Sequence, residues 1–441
     1  MNFKKQMMAL IALSCFSGLV AKTCSVNDRV TCIEIKEGLA EIQATQTDCC
    51  DSLNNCALAI LNGLEDPPVC DQQIFIDQQF ITTGSLNPIT VSGSYCLIES
   101  VTGDLVIDAD DVNINMNSFS ISGGTNLISA TGHSNITISG YGLLQSAATN
   151  GISMTTCTNV VVDAVDFENC PTALSFSDVN NFNVAGSSVV GSSTSGMVFD
   201  ASVNGNISRC LLHDNTFGSG ILLSNASSNV LVKDVNVTNN DGGATMRGFQ
   251  VSGSSNCTLL NCKANQNLAT SNLAGFYIFN ASSDCLLKEC YALSNGSNAD
   301  ASTNLAFNIA AANKIVIDSC TANDGASSNI AIGFDVNSST NCCIRNSNAK
   351  RNAVGGFNVT TSSDCYVQNN TALSNTTGFE YDGSNSNVFL GNYAEGNGTN
   401  YSGVLSVIAF DTSAGEFRDP LNSCTAVSPS DWSNIAVEAC P

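Results

Sequence analysis

The chain has 441 residues, of which 43% are hydrophobic and 12% are charged, so it is long and apolar enough to bury an extended core. Its formal net charge is −23, with only 15 Lys and Arg residues. Because phosphate binding needs clustered basic side chains, this composition argues against nucleic acid as a partner.

The first 21 residues have the pattern of a secretory signal peptide. Lys4 and Lys5 precede an apolar run that ends at Val20, and Ala21 is a suitable cleavage point. No later stretch is apolar and long enough to cross a bilayer. We therefore predict a secreted protein, located extracellularly, at the cell surface or in the periplasm. Removal of the signal with Cys15 leaves 20 of the 21 cysteines, an even number that suits an oxidising compartment.

Residues 22–66 are predicted to be a helical segment, because the apolar positions are spaced alternately by four and three residues. The seam consists of Ile35, Leu39, Ile42, Gln46, Cys49, Leu53, Cys56 and Ile60. Gly63 and the pair Pro67 and Pro68 end it. Two interpretations stay open. The helix caps the domain that follows, or it is an oligomerising neck that makes the protein a homotrimer through residues 35–60.

From Ile89 onward the apolar period changes to two, which is the alternation of a β-strand. Short runs such as Val112 with Ile114 are too brief for helices. Units of similar length then begin every 22 to 24 residues, near Gly151, Ala173, Gly196 and Gly220.

Residues 248–397 contain one unit six times. Each unit opens with a small residue followed by phenylalanine, at Phe249, Phe276, Phe307, Phe334, Phe357 and Phe379. In the first five units a second short strand begins at Cys257, Cys285, Ile315, Cys342 and Cys365. A third feature that recurs in every unit is an alanine, at Ala264, Ala292, Ala322, Ala349, Ala372 and Ala394. Self-similarity at this period indicates a solenoid, a propeller or an array.

A period as short as 22 residues leaves room for two or three short strands, which is one turn of a parallel β-solenoid. Equivalent residues would stack about 4.8 Å apart in columns of Phe, Val or Ile, Cys and Ala. The pattern, with 90–97 and 110–114 at its start, resembles the right-handed parallel β-helix repeat proteins, the pectate-lyase-like solenoids, over residues 96–410. We predict an all-β fold, a right-handed parallel β-helix of roughly twelve turns over residues 67–403.

The segment 404–441 loses the repeat but keeps enough apolar side chains to cover the last turn, so we predict a C-terminal cap. Cys424 and Cys440 are predicted to form a disulfide within it.

The turns lengthen after Gly220, and the extra residues fall just before the small-Phe opening, at 241–247, 268–274, 296–305 and 324–332. Insertions at equivalent positions project from one edge of a solenoid, which is often its binding face, although drift in repeat length explains them too. The family resemblance implies enzymes that act on acidic polysaccharides. The weak catalytic candidates in these loops are Asp241, Arg247, Asp300 and Asp324. Calcium is expected only if the protein is a polysaccharide lyase.

Alignment of the units predicts one outward column on the second strand, formed by Lys233, Leu260, Lys288, Asp318, Arg345 and Gln368. Lys233, Lys288 and Arg345 would follow one another at intervals of two turns. Two strand spacings correspond to about 10 Å. The hypothesis is that these three cations bind an acidic polysaccharide. The alternative is a solvated strand face on which Asp318 pairs with its neighbours.

The cysteines Cys257, Cys285, Cys342 and Cys365 share one predicted inner column, and Cys262, Cys290 and Cys320 share the next. We expect buried free thiols, because the Cβ vectors of stacked neighbours are parallel, which is awkward for a disulfide. No CxxC pair or His cluster supports a metal site, so we predict none. The many Asn-x-Ser/Thr sequons are interpreted either as glycosylation sites or as asparagines that cap turns.

The leading prediction is an exported, non-catalytic β-helix protein for surface display, adhesion or polysaccharide binding. The alternative is a carbohydrate-active enzyme, a polysaccharide lyase, epimerase or hydrolase, with its site in the lengthened turns 241–332. Fold alone does not decide between them.

Overall fold

The computed structural model describes residues 74–82, 87–297, 303–323, 331–382 and 386–403. The predicted signal peptide, the helical segment 22–66, the cap 404–441 and the pair Cys424 and Cys440 lie outside the described residues. So do Asp300 and Asp324.

The described chain is a right-handed parallel β-solenoid of about thirteen turns, built from three long parallel sheets. We name them by their inward residues. The phenylalanine sheet contains the small-Phe openings, the cysteine sheet the strands that follow Cys257 and its equivalents, and the alanine sheet the strands around Ala264 and its equivalents. The chain passes through the three sheets in that order in every repeat turn. The predicted fold is confirmed, with about one turn more than the sequence count.

The phenylalanine sheet has 13 strands: Leu105–Ile107, Asn126–Thr131, Asn150–Thr155, Thr172–Ser177, Ser195–Asp200, Ser219–Ser224, Thr245–Ser252, Asn272–Phe279, Thr303–Ala310, Ala331–Asn337, Gly355–Thr360, Thr377–Tyr381 and Thr399–Ser402. The cysteine sheet has 14: Ile74–Ile76, Gly93–Leu97, Val112–Asn115, Ser134–Ser139, Thr158–Asp163, Asn180–Ala185, Val203–Ser208, Ser228–Lys233, Thr258–Leu260, Leu286–Lys288, Val316–Asp318, Cys343–Arg345, Tyr366–Gln368 and Val388–Leu390.

The alanine sheet also has 13 strands: Val101–Thr102, Ser120–Ser122, Leu143–Gln145, Asp166–Glu168, Ser188–Val190, Leu211–His213, Asn236–Thr238, Lys263–Asn265, Tyr291–Leu293, Thr321–Asn323, Asn348–Lys350, Thr371–Leu373 and Tyr393–Glu395. Leu268–Ala269 and Gly296–Ser297 form a small fourth sheet of two strands, and Gln78–Thr82 is a short helix. No helix among the described residues is long and apolar enough to span a membrane.

The phenylalanines of the six units form one continuous stack along the solenoid axis. From Phe249 to Phe379, neighbouring ring centroids lie 4.7 to 4.9 Å apart and their planes are within 9° of parallel. Tyr401 continues the stack at 5.3 Å from Phe379. The spacing equals the distance between strands, so each ring packs on the ring of the turn before it and all six are buried.

The small residue before each phenylalanine is explained by the alanine column opposite. A Cβ added at Gly356 would lie 2.5 Å from the carbonyl oxygen of Gly378 and 3.1 Å from the Cβ of Ala372. Gly275 meets Ala306 and Ala292 in the same way, at 2.7 and 3.0 Å. The glycine and the alanine of the unit are therefore one feature, because a Cβ at the glycine would enter space that the alanine Cβ and the backbone of the next turn already occupy.

The cysteines of the inner columns are buried free thiols, as predicted. Ten cysteines among the described residues are free and buried, including Cys257, Cys262, Cys290 and Cys320. Burial raises the pKa of the Cys210 thiol to about 11. These side chains fill the core as small hydrophobic groups.

Asparagines occupy the corners between the sheets, where they form two kinds of ladder. Inside, Asn215, Asn240, Asn267 and Asn295 are buried, and the side-chain oxygens of the last three each accept a hydrogen bond from Nδ2 of the asparagine one turn earlier. Outside, Asn159 and its equivalents adopt positive φ angles, 57° at Asn159, which asparagine tolerates better than most residues.

Candidate functional site

The outward face of the phenylalanine sheet carries one row of side chains in strict register. This outward row consists of Gln250, Tyr277, Asn308, Asp335, Asn358 and Glu380, each paired with the next across one strand spacing. It follows from strand alternation, since each member comes directly after an inward phenylalanine of the stack. In the sequence, each member is the third residue of a small-Phe unit, and none was among the predicted site residues.

An aromatic cluster occupies the end of the outward row nearer the N terminus. The rings of Tyr277 and Phe279 stack in parallel with centroids 4.2 Å apart. The guanidinium carbon of Arg247 lies 4.9 Å from the centroid of the Tyr277 ring, within cation–π distance. Of this cluster the sequence predicted only Arg247, because its contact with a ring of the next turn arises only when successive turns stack.

Arg247 is largely engaged by the fold. Its Nη1 donates hydrogen bonds to the carbonyl oxygens of Asn272, at 2.8 Å, and Met246, at 3.0 Å. Burial lowers the pKa of the guanidinium from its ordinary value. The guanidinium therefore anchors the next turn and holds the Tyr277 ring.

Asp335 lies in the middle of the outward row and is only 8% exposed. Its Oδ1 accepts a hydrogen bond of 2.7 Å from Nδ2 of Asn358. Burial raises the pKa of the carboxyl to about 6, the Asn358 hydrogen bond opposes the rise, and the charge of Glu380 adds to it. The buried side-chain oxygens of Asn308 and Asn358 have no hydrogen-bond partner. This part of the row thus contains buried acceptors that lack donors.

The described parts of the lengthened turns are largely strands rather than the projecting loops that the sequence predicted. Much of their described length is built into extended strands of the phenylalanine sheet, such as Thr245–Ser252 and Asn272–Phe279, each of 8 residues. Leu268–Ala269 pairs with Gly296–Ser297, and Asp241 bridges to Leu268 through the backbone. Extra residues in successive turns stack on one another, because parallel pairing satisfies their backbone groups better than exposed loops do.

Two of the four catalytic candidates can be placed. Asp241 is exposed, and its Oδ1 accepts a hydrogen bond of 3.2 Å from the backbone N–H of Gly243. Arg247 occupies the aromatic cluster, and no ion pair joins the two within the described part of the chain.

The cation column has the register that the sequence predicts. Lys233, Leu260, Lys288, Asp318, Arg345 and Gln368 are successive partners on the outward face of the cysteine sheet. Each cation has an acidic neighbour. Nε of Arg345 lies 3.2 Å from a carboxylate oxygen of Asp318, whereas Lys288 is 3.8 Å from Glu289 and Lys233 is 4.0 Å from Asp234.

Among the residues that the structure describes, no group of three or more His, Cys, Asp or Glu side chains is placed to hold a metal ion.

The family model described as right handed beta helix region matches residues 105–248 and 245–400. The chain therefore belongs to the right-handed β-helix family. A comparison with curated protein sequences found no match.

Solved structures with a similar fold include proteins that act on carbohydrates. The A-module of the Azotobacter vinelandii mannuronan C-5 epimerase AlgE4 matches with a TM-score of 0.51 and 13% identity, over 71% of this chain and 91% of that chain. The catalytic domain of a GH87 α-1,3-glucanase in complex with nigerose has a TM-score of 0.46 and 12% identity, over 79% and 70%. A tailspike protein mutant of E. coli bacteriophage HK620 in complex with pentasaccharide has a TM-score of 0.46 and 9% identity, over 71% and 72%. At these identities the likeness concerns the fold.

Proposed function

We propose that this protein is exported and binds an extended polysaccharide, without catalysis, along the outward row from Gln250 to Glu380. The observation that carries the proposal is the row itself. Aromatic, amide and carboxyl side chains face outward at one strand spacing over six turns, beside the turns that the chain has lengthened. A repeating linear surface suits a repeating linear ligand.

The aromatic cluster would provide the platform for a sugar ring. Tyr277 and Phe279 are half-buried, so each keeps some ring surface at the solvent side. Their mutual stacking, with Arg247 over Tyr277, restrains both rings before any ligand arrives. Restrained aromatic groups lose little conformational entropy on binding, which favours affinity.

Replacing both rings tests the proposal. We expect the double variant Tyr277→Ala, Phe279→Ala to bind polysaccharide at least roughly tenfold more weakly, because that factor corresponds to about 1.4 kcal/mol of lost ring contact. Binding is measured first on a glycan array and then by titration calorimetry with the best ligand. The matched control is Tyr366→Ala, which removes a half-buried outward tyrosine of the cysteine sheet. Equal affinities for all three proteins would contradict the proposal.

The cation column is a second proposed surface, for acidic polysaccharides. The lysine pairs are exposed and their nitrogen–oxygen distances are close to 4 Å, so a polyanion has little to displace there. Arg345 has the stronger pair, with Asp318. Binding of uronic-acid polymers should weaken in the Lys233→Ala, Lys288→Ala, Arg345→Ala triple variant. Unchanged binding would remove this surface from the proposal.

A carbohydrate-active enzyme is the second candidate function, and the carboxyl pair in the outward row favours it. Asp335 has a pKa raised to about 6, which suits a general acid. Glu380 stands two turns away in the same row, about 10 Å by strand spacing, near the upper end of the separation used by inverting glycosidases. Asp241, Arg247, Asp300 and Asp324 remain the candidates for a lyase.

Activity is tested by incubating the protein with neutral and uronic-acid polysaccharides, with and without calcium. New reducing ends indicate hydrolysis, and absorbance from unsaturated products indicates a lyase. Loss of activity in Asp335→Asn or Glu380→Gln, with polysaccharide binding retained, would assign the reaction to the outward row. Absence of any product with all polymers supports the binding protein.

Export and assembly complete the proposal. The predicted signal peptide would direct the chain out of the cell, where polysaccharides are exposed. Residues 22–66 would cap the solenoid or join three copies. Light scattering on the secreted protein, with and without residues 22–66, separates these roles, because only the neck changes the molecular mass by a factor of about three.

A further inference from the structure

The outward row contains more hydrogen-bond acceptors than donors at its acidic end. The buried side-chain oxygens of Asn308 and Asn358 have no partner, and Asp335 between them receives one hydrogen bond in the described structure, from Asn358. Glu380 follows Asn358 in the register. Buried acceptors without donors are costly, and native proteins keep them mainly where a ligand, a water or an ion completes them.

The charges in this part of the row have one sign. Asp335 and Glu380 are two turns apart on the same face, and the negative charge of Glu380 contributes to the raised pKa of Asp335. On the described strands of this sheet the one cation is Arg247, which lies three turns from Asp335 and is held over the Tyr277 ring. An acidic sugar placed here would bring its carboxylate close to two others.

We infer that the glycan bound on the outward row donates hydrogen bonds to Asn308, Asp335, Asn358 and Glu380 and carries no acidic groups. This inference rests on the proposed function and specifies its ligand class. Hydroxyl groups of neutral sugars and ammonium groups of amino sugars share the required chemistry, since both donate hydrogen bonds and neither is negative. Asn308, Asn358 and Glu380 are half-buried, so the ligand meets their exposed surface, and the two amide groups must turn to offer it the oxygens that the unliganded fold buries.

The two faces of the solenoid thus differ in the charge of the glycan that they favour. The cation column on the cysteine sheet suits acidic polysaccharides, whereas the acceptor-rich end of the outward row repels them. The two surfaces therefore select different glycans, and variants of one should leave the other unchanged.

The experiment compares three oligosaccharides of equal length, built from N-acetylglucosamine, glucosamine or galacturonic acid, by titration calorimetry at pH 7.5. We expect the first two to bind, and the galacturonic acid oligomer to bind the outward row at least roughly tenfold more weakly, because like charges across an interface are penalised. The measurement uses the Lys233→Ala, Lys288→Ala, Arg345→Ala background, so that the cation column does not contribute. Tighter, salt-sensitive binding of the glucosamine oligomer identifies ammonium as the donor. Equal binding of the two identifies hydroxyl groups.

The double variant Asp335→Asn, Glu380→Gln removes both negative charges with little change in shape. It should bring the affinities for the glucosamine and galacturonic acid oligomers closer together by roughly tenfold or more. Glu380→Gln alone, at a half-buried position, provides the same test if the double variant folds poorly. The matched control is Asp163→Asn, an exposed acid on the cysteine sheet.

Two results would overturn the inference, and they differ in what they leave standing. If the galacturonic acid oligomer binds best and the acid variants do not change the preference, the inference fails and polysaccharide binding survives. If no oligosaccharide or polysaccharide binds and the Tyr277 and Phe279 variant behaves as wild type, the proposed function fails as well.

Discussion

At the scale of single residues, the outward face of the phenylalanine sheet is under electrostatic strain. Asp335 is nearly buried on a face that also carries Glu380, and its ordinary pKa of 3.8 rises to about 6. Asp318 on the cysteine sheet is the opposite case. Although burial acts to raise its pKa, hydrogen bonds from Asn346 and Ser319 and the charge of Arg345 together lower it. The two carboxyl groups therefore affect stability with opposite signs.

The pH dependence of stability follows from the Asp335 shift. Because the folded pKa exceeds the unfolded one, the stabilising contribution is complete below about pH 3.8 and is lost as the pH rises through about 6. The loss amounts to about 3 kcal/mol at most, from about two pKa units. We expect Asp335→Asn to raise the free energy of unfolding at pH 7.5 and to have little effect at pH 4. Urea denaturation at both pH values measures this.

The control variant for that experiment is Asp318→Asn. The lowered pKa of Asp318 gives a contribution that is present above the unfolded pKa and lost as the pH falls, so this variant should destabilise the protein at pH 7.5. If both substitutions shift stability in the same direction at pH 7.5, the electrostatic assignment of Asp335 is wrong.

A second residue-scale prediction concerns Asn304, which is 1% exposed and whose side-chain nitrogen and oxygen both lack partners. It stacks on Leu273, which in turn stacks on Met246. We expect Asn304→Leu to raise the free energy of unfolding by about 1–3 kcal/mol. The substitution replaces a buried unpaired amide with an apolar side chain like those of Leu273 and Met246 in the preceding turns. Thermal and urea unfolding provide the measurement.

Asn267→Leu is the matched control, because Asn267 is equally buried but bonded to Asn295 and to the carbonyl oxygen of Val237. This substitution should destabilise the protein. Destabilisation of similar size by both variants would show that the Asn304 amide has a stabilising role.

At the scale of the structural unit, each turn is held by columns of identical side chains rather than by contacts within the turn. The phenylalanine stack, the alanine column and the buried asparagine ladders all run along the axis. The thiols form further columns of this kind. Burial raises the pKa of Cys262 well above its usual range, which disfavours the reactive thiolate.

The thiol columns should therefore be chemically silent in the folded protein. We expect Cys257, Cys262, Cys290 and Cys320 to resist alkylation by iodoacetamide at pH 8 and to react completely after unfolding in guanidinium chloride without reductant. Peptide mass spectrometry measures the label at each position. Protection that persists in denaturant until reductant is added would mean that these cysteines form disulfides.

At the scale of the whole molecule, the solenoid is a one-dimensional array in which each turn packs only on its neighbours. The surface of the described turns consists of long columns, acceptor-rich on one face and cationic on another. The net charge of −23 favours electrostatic repulsion between copies of the chain.

The array predicts that one complete turn can be removed. Deleting residues 356–377 joins Gly355 to Gly378 and places Phe379 on Phe334, one strand spacing away. We expect the shortened protein to keep its circular dichroism spectrum and to unfold at a somewhat lower temperature, because one interface between turns is lost. Deleting half a turn, residues 356–366, should prevent folding of the following turns. Equal damage from both deletions would contradict a stack of equivalent turns.

The sequence determined the fold and the columns, because in a parallel solenoid the spacing along the chain converts directly into position along the axis. The small-Phe units therefore predicted the phenylalanine stack, and the order of outward residues predicted the register from Lys233 to Gln368. It also predicted that the cysteines of the inner columns are buried free thiols.

The solvent exposure of each side chain and its hydrogen-bond or ion-pair partners were decided only by the tertiary structure. Arg247 and Tyr277 are 30 residues apart in the sequence, and they are in contact because their strands are neighbours in the phenylalanine sheet. The burial of Asp335, the unpaired oxygens of Asn308 and Asn358, and the pairing of Arg345 with Asp318 likewise depend on which strands are neighbours. Repetition specifies where a side chain points, but desolvation and hydrogen bonding are set by its neighbours in space.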